Sequence, residues 1–89
     1  MNILDQANKI VNNRSEEKER MYGNFDNGME RAAEILTAMT GRPVDAVFMY
    51  KALIALKLSR ESFNHKEDNL LDAVAYIGAL NNYINNKIK

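Results

Sequence analysis

The chain has 89 residues, of which 46% are hydrophobic and 27% charged, with one proline, four glycines and no cysteine. That is enough apolar material for one small domain spanning 1–89, or for one subunit of an oligomer, and too much for a disordered segment. Twelve basic residues balance twelve acidic ones, which removes the counterion-release case for duplex nucleic acid. The lack of cysteine excludes disulfides and thiolate chemistry. No apolar run approaches the roughly 18 residues that cross a bilayer. The opening MNILDQANKI carries an acidic residue and no long apolar core, so no secretory signal is expected and a cytoplasmic setting is.

Residues 2–13 read as a first helix, because Ile3, Leu4, Ala7, Ile10 and Val11 fall on one face at helical spacing. Asn12-Asn13 weakens it, and the RSEEKER run that follows is expected to be a solvated charged connector. Tyr22-Gly23-Asn24 then breaks the pattern. Residues 25–40 form a second helix, with Asn24 or Asp26 as cap and an apolar stripe of Phe25, Met29, Ala32, Leu36 and Met39. Gly41 suits a left-handed C-terminal cap, and Pro43 suits the first turn of the next helix.

The third helix, 43–61, is apolar nearly all round, which predicts burial on several sides. Ala52, Ala55 and Ser59 make a narrow stripe on which another backbone could lie close. Lys57 and Arg60 interrupt the apolar surface and must snorkel or find partners. Residues 62–66 connect to a fourth helix, 67–86, with two faces. Leu70, Ala73, Val74, Ile77, Leu80 and Ile84 make the oily one. Asp68, Asp72, Ala75, Tyr76, Ala79 and Tyr83 make the other, and Asn81, Asn82, Asn85 and Asn86 are expected to fray the end. The composition and pattern predict an all-α, four-helix protein whose surplus apolar faces are covered by homo-oligomerisation.

Three groups of residues could carry chemistry. In the first, Lys57 and Arg60 end one helix while Asp68, Asp72 and Tyr76 occupy successive turns of one face of the next. An antiparallel hairpin would let Arg60 reach Asp68 or Asp72, and Lys57 reach Asp72 or Tyr76. Such a cluster either fixes the hairpin as a partly buried ion-pair network or lines a pocket for a phosphate-bearing ligand or metal. In the second, Glu30 and Glu34 share a helical face and could hold magnesium, or else are simply solvated; the same holds for Glu16 and Glu19. The third is Tyr22-Gly23, either a plain turn with a packed ring or an aromatic that stacks on a ligand. His65 is the only histidine, stands in a loop and has no catalytic spacing around it. The five methionines read as core filler.

Taken together, Tyr22, Gly23, Gly41, Lys57, Arg60, Asp68, Asp72 and Tyr76 resemble the layout of a group of short helical proteins encoded by phages and prophages. That group is distantly similar to phage nucleotide-modification-associated domains and to the MazG-like all-helical nucleotide pyrophosphatases. The resemblance implies a MazG-like helical bundle, a nucleotide-related role and the cytoplasm of a phage-infected host. The chain departs from the MazG-like pattern, which pairs Glu-x-x-Glu on one helix with Glu-x-x-Asp on a later one. Here Glu30-x-x-x-Glu34 and Asp68-x-x-x-Asp72 stand instead, and Glu67 is followed by Leu70 at the third position.

The leading functional expectation is a non-enzymatic binding protein without a cofactor. It would sequester a nucleotide-like ligand through Tyr22, Lys57, Arg60, Asp68, Asp72 and Tyr76, or block a host protein. One alternative is a divergent magnesium-dependent nucleotide pyrophosphatase, with Glu30, Glu34 and Asp72 as metal ligands and Asp68 beside them. Another is a purely structural interaction protein.

Overall fold

A computed structural model describes residues 2–13, 18, 20 and 24–88. Tyr22, Gly23, Glu16 and Glu19, and with them the expected turn and one acidic pair, lie outside the described residues. Lys18 and Arg20, from the charged run, are helical and exposed.

Among the described residues the chain forms four long helices and no strand: α1 (Ile3–Asn12), α2 (Phe25–Thr40), α3 (Ala46–Phe63) and α4 (Glu67–Ile88). Each of the first three starts where a short polar side chain can accept an otherwise orphaned backbone N–H. Asn2 accepts from the Asp5 amide at 2.9 Å, Asn24 from Asn27 at 3.2 Å, and Asp45 from Phe48 at 2.8 Å. The choice left open for α2 is thus decided for Asn24, and Asp26 is released for another task.

The third helix begins at Ala46, not at 43, because the Asp45 carboxylate caps it; Pro43 stands outside the helix. Its other end runs to Phe63, which shortens the connector to residues 64–66. Glu61 closes this turn by accepting from the Lys66 amide at 3.0 Å and pairing with His65. The single histidine therefore clasps a helix end. Gly41 takes the expected left-handed conformation, φ 72°, and its N–H reaches the Thr37 carbonyl at 2.9 Å. The Thr37 hydroxyl accepts from the Val44 amide at 2.9 Å and donates to the Val44 carbonyl at 3.2 Å, which locks the corner between α2 and α3. The asparagine-rich end of α4 does not fray: the helix continues to Ile88.

Helix α4 is the spine. It packs along α3 on one side and α1 on the other, and α2 leans on α3. Among the described residues the buried ones are Ala7, Ala33, Ala46, Ala73 and Ala75, together with the fully enclosed Tyr50. Alanines at the contacts let helix axes come close, at the cost of little apolar area per residue. Large apolar side chains are left outside: Ile35 and Met39 on α2, Phe48, Leu56, Leu58 and Phe63 on α3, and Ile77 on α4. Within one chain α3 is buried along one side only, although its sequence is apolar almost all round. Met39 is exposed rather than core filler, while Met29 and Met49 are half-buried.

Candidate functional site

A concavity lies between α1, α2 and α4. It has a volume of about 440 Å³, within the ~300–1,000 Å³ range of small-molecule sites. Ile10 and Val11 of α1 form an apolar wall. The start of α2 contributes Asn24, Phe25 and Asp26, and Lys18 stands at the edge. Along α4, Asp72, Tyr76, Ala79, Asn82 and Asn86 line the cleft. Helical spacing explains that row: 72, 76, 79, 82 and 86 are separated by three or four residues and share a face.

Beside the cleft is an aromatic and carboxylate network. Tyr50 of α3, 0% exposed, is the one large side chain fully enclosed among the described residues. Its hydroxyl donates to Asp26 Oδ1. Burial first, and the Asp26 carboxylate second, raise the Tyr50 hydroxyl pKa far above the ordinary value, so it remains a donor. Phe25 packs on Tyr50, ring centroids 5.8 Å apart and tilted by 59°, and lies nearly parallel to Tyr76 at 6.1 Å and 17°. Tyr83 closes the row at 5.6 Å from Tyr50. The Tyr83 hydroxyl donates to Glu30 Oε2 at 3.0 Å, and Lys87 Nζ reaches the same oxygen at 3.0 Å while lying 5.5 Å from the Tyr83 ring centre.

The hydrogen bond from Lys87, then the one from Tyr83, holds the Glu30 carboxyl below its ordinary pKa. A carboxylate whose pKa falls on folding stabilises the fold above its unfolded value and loses that contribution as pH drops through the folded value. The Glu30 resonance should therefore titrate below the usual glutamate midpoint of about 4.3 in an NMR pH series. Lys87→Ala should move it up towards that value. A Glu30 midpoint that does not respond to Lys87→Ala would mean the ion pair is not formed in solution.

The expected site residues separate into three sets. Lys57 and Asp72 do meet, Nζ to Oδ2 at 2.9 Å, with side chains 18% and 38% exposed. Asp72 and Tyr76 both line the cleft, so Lys57 acts on it through Asp72. Arg60 and Asp68 are exposed, form no ion pair with each other or with Asp72, and lie outside the cleft lining. Tyr22 is outside the described residues. Glu30 is engaged by Tyr83 and Lys87, and Glu34 is exposed. Among the described residues, no three His, Asp or Glu side chains converge as metal ligands do.

Sequence reasoning passed over Tyr50, Asp26, Phe25, Asn82 and Asn86. A tyrosine in the middle of an otherwise apolar helix was a usable signal, since a buried hydroxyl needs an acceptor. Asn82 and Asn86, four residues apart and nearly two turns beyond the Asp72–Tyr76 row, were another.

Residues 2–84 match the family model described as Domain of unknown function (DUF6378), and the chain belongs to that family. No curated protein and no solved structure matches it.

Proposed function

We propose that this DUF6378 member is a phage-type helical binding protein that sequesters a nucleotide-like small molecule in the host cytoplasm without turning it over. The observation that carries the reading is the cleft on α2 and α4, whose lining includes the near-parallel Phe25 and Tyr76 rings and, farther along α4, Asn82 and Asn86. Aromatic faces accept a planar base by stacking, and the Asn86 amide and the Asn82 oxygen offer polar partners to the rest of the ligand, while Asn24 Oδ1 caps α2 and Asn82 Nδ2 reaches Asn12. The charges near the cleft favour the base end of such a ligand over a bare polyphosphate. Asp72 is neutralised by Lys57, and Asp26 accepts from Tyr50. The base and sugar would occupy the cleft, with the phosphate directed towards solvent.

Isothermal titration with nucleosides and nucleotides tests this. Binding is expected, and Tyr76→Ala should weaken it about five- to hundredfold, the loss of about 1–3 kcal/mol of stacking. Arg60→Ala and Glu34→Ala, both outside the cleft, should leave affinity unchanged. No binding by any nucleobase-containing compound would sink the reading. Magnesium-dependent release of pyrophosphate that disappears in Glu34→Ala would replace it with the pyrophosphatase, using Glu30, Glu34 and Asp72.

A further inference from the structure

Among the described residues two carboxylates line the cleft, and each has one oxygen engaged. Asp72 gives Oδ2 to Lys57 Nζ at 2.9 Å, and Asp26 gives Oδ1 to the Tyr50 hydroxyl. Among the described residues neither second oxygen, Asp72 Oδ1 or Asp26 Oδ2, accepts a hydrogen bond. Asp72 stands one turn before Tyr76 on α4, and side chains four apart on a helix are neighbours, about 5–6 Å between Cβ atoms. The Phe25 and Tyr76 ring centres are 6.1 Å apart, less than the roughly 7 Å that two ring contacts of about 3.5 Å require. A base therefore lies against the pair and not between its rings, which leaves its edge free to meet Asp72.

We infer that the cleft selects a guanine base, with Asp72 as the specificity-determining residue. The inference rests on the nucleotide reading above and narrows it to one base. An ionised aspartate offers acceptors only. It attracts an edge made of donors and repels an edge that carries lone pairs. Guanine alone among the common bases has two adjacent donors on its pairing edge, the ring N–H and the amino group beside it. A carboxylate accepts both, one on each oxygen, and the oxygen that Lys57 holds keeps a second lone pair for this. Adenine and cytosine each set a ring-nitrogen lone pair beside the amino group, and uracil flanks its N–H with two carbonyls. Turned towards Asp72, those acceptors meet like charge.

The surrounding groups favour the same edge. Lys57 is largely enclosed and is not part of the cleft lining, so it fixes the Asp72 carboxylate without offering the ligand a cation. Asp26 adds a second acceptor to the lining. Tyr50 is buried and gives its hydroxyl proton to Asp26, so it does not turn to the ligand as a donor. A phosphate at this depth would face the open oxygens of both aspartates, which again directs the base inward.

Isothermal titration of the wild-type protein with the 5′-monophosphates of guanosine, inosine, adenosine, cytidine and uridine tests the assignment. Guanosine monophosphate should bind about ten- to a hundredfold tighter than adenosine monophosphate, the range for hydrogen bonds to a charged group. Inosine monophosphate keeps the ring N–H but lacks the amino group, and should fall between them. Methylating that ring nitrogen of guanine should remove most of the preference. Asp72→Asn presents one acceptor and one donor, and should bring the guanosine and adenosine compounds to near-equal affinity. Asp68→Asn, outside the cleft, should keep the preference. Equal affinity for all the bases, or tighter binding of adenosine monophosphate, overturns the inference and leaves the nucleotide reading standing. So does binding that ignores the base and is lost with the 2′-deoxy compounds, which would move Asp72 to the ribose. A guanine preference that persists in folded Asp72→Asn also overturns it. Failure of every compound to bind removes the nucleotide reading and this inference together. If Asp72→Asn loses its helical content by circular dichroism, the ligand series on the wild-type protein decides alone.

Discussion

Tyr50→Ala will lower the unfolding free energy by about 3–5 kcal/mol, the range for removing a buried aromatic side chain. The effect is large because the core has so little else of that size. The other buried residues among those described are alanines, and Tyr50 is the side chain on which Phe25 and Tyr83 both rest. Domains of this length have a total stability of about 4–13 kcal/mol, so the variant should be partly unfolded at room temperature. Tyr50→Phe keeps the ring and removes only the bond to Asp26. Asp26 is half-buried, so water can solvate the carboxylate that loses its donor. The cost should fall to about 1–2 kcal/mol, between a neutral and a charge-assisted hydrogen bond. Urea titrations followed by circular dichroism would separate the two variants. Equal losses below about 1 kcal/mol would show that Tyr50 is not the centre of the core.

The second large effect is expected at the ion pair between α3 and α4. Asp72→Asn should cost about 1–2 kcal/mol, more than the ~0–1 kcal/mol of an exposed pair and less than the ~3–5 kcal/mol of a fully buried one. Partial exposure sets that middle value: Lys57 is largely enclosed, whereas Asp72 opens onto the cleft. Lys57→Met should cost a similar amount, and the double variant should cost less than the sum, since each single change strands the other charge. Asp68→Asn is the control, because Asp68 is exposed and outside the pair. Indistinguishable midpoints for Asp72→Asn and Asp68→Asn would mean that the pair contributes nothing to the hairpin.

Local signals in the sequence were enough for the helices. Apolar spacing, the Asn24 cap and the glycine with positive φ at 41 place α2 at the same bounds in both readings, because each of those effects acts within a turn or two of chain. The Lys57–Asp72 pair was legible for a related reason: a short connector between two helices makes them antiparallel neighbours, and helical spacing then brings those two positions together. The start of α3 was misplaced where two local signals competed, Pro43 as a first-turn residue against Asp45 as a cap, and the carboxylate that accepts the Phe48 amide won.

The cleft and its network were decided by the tertiary structure alone. Tyr50 and Asp26 are 24 residues apart in sequence, and Tyr83 and Glu30 are 53 apart. No periodicity relates such positions, so the bonds of Glu30 to Tyr83 and Lys87 could not be read from the sequence. The apolar surface of α3 divides in the same way. Its sequence marks nearly every side as suitable for burial, but two neighbouring helices can cover only part of a cylinder. Which part is covered, and that Phe48, Leu56 and Phe63 are left on the outside, depends on where α2 and α4 lie.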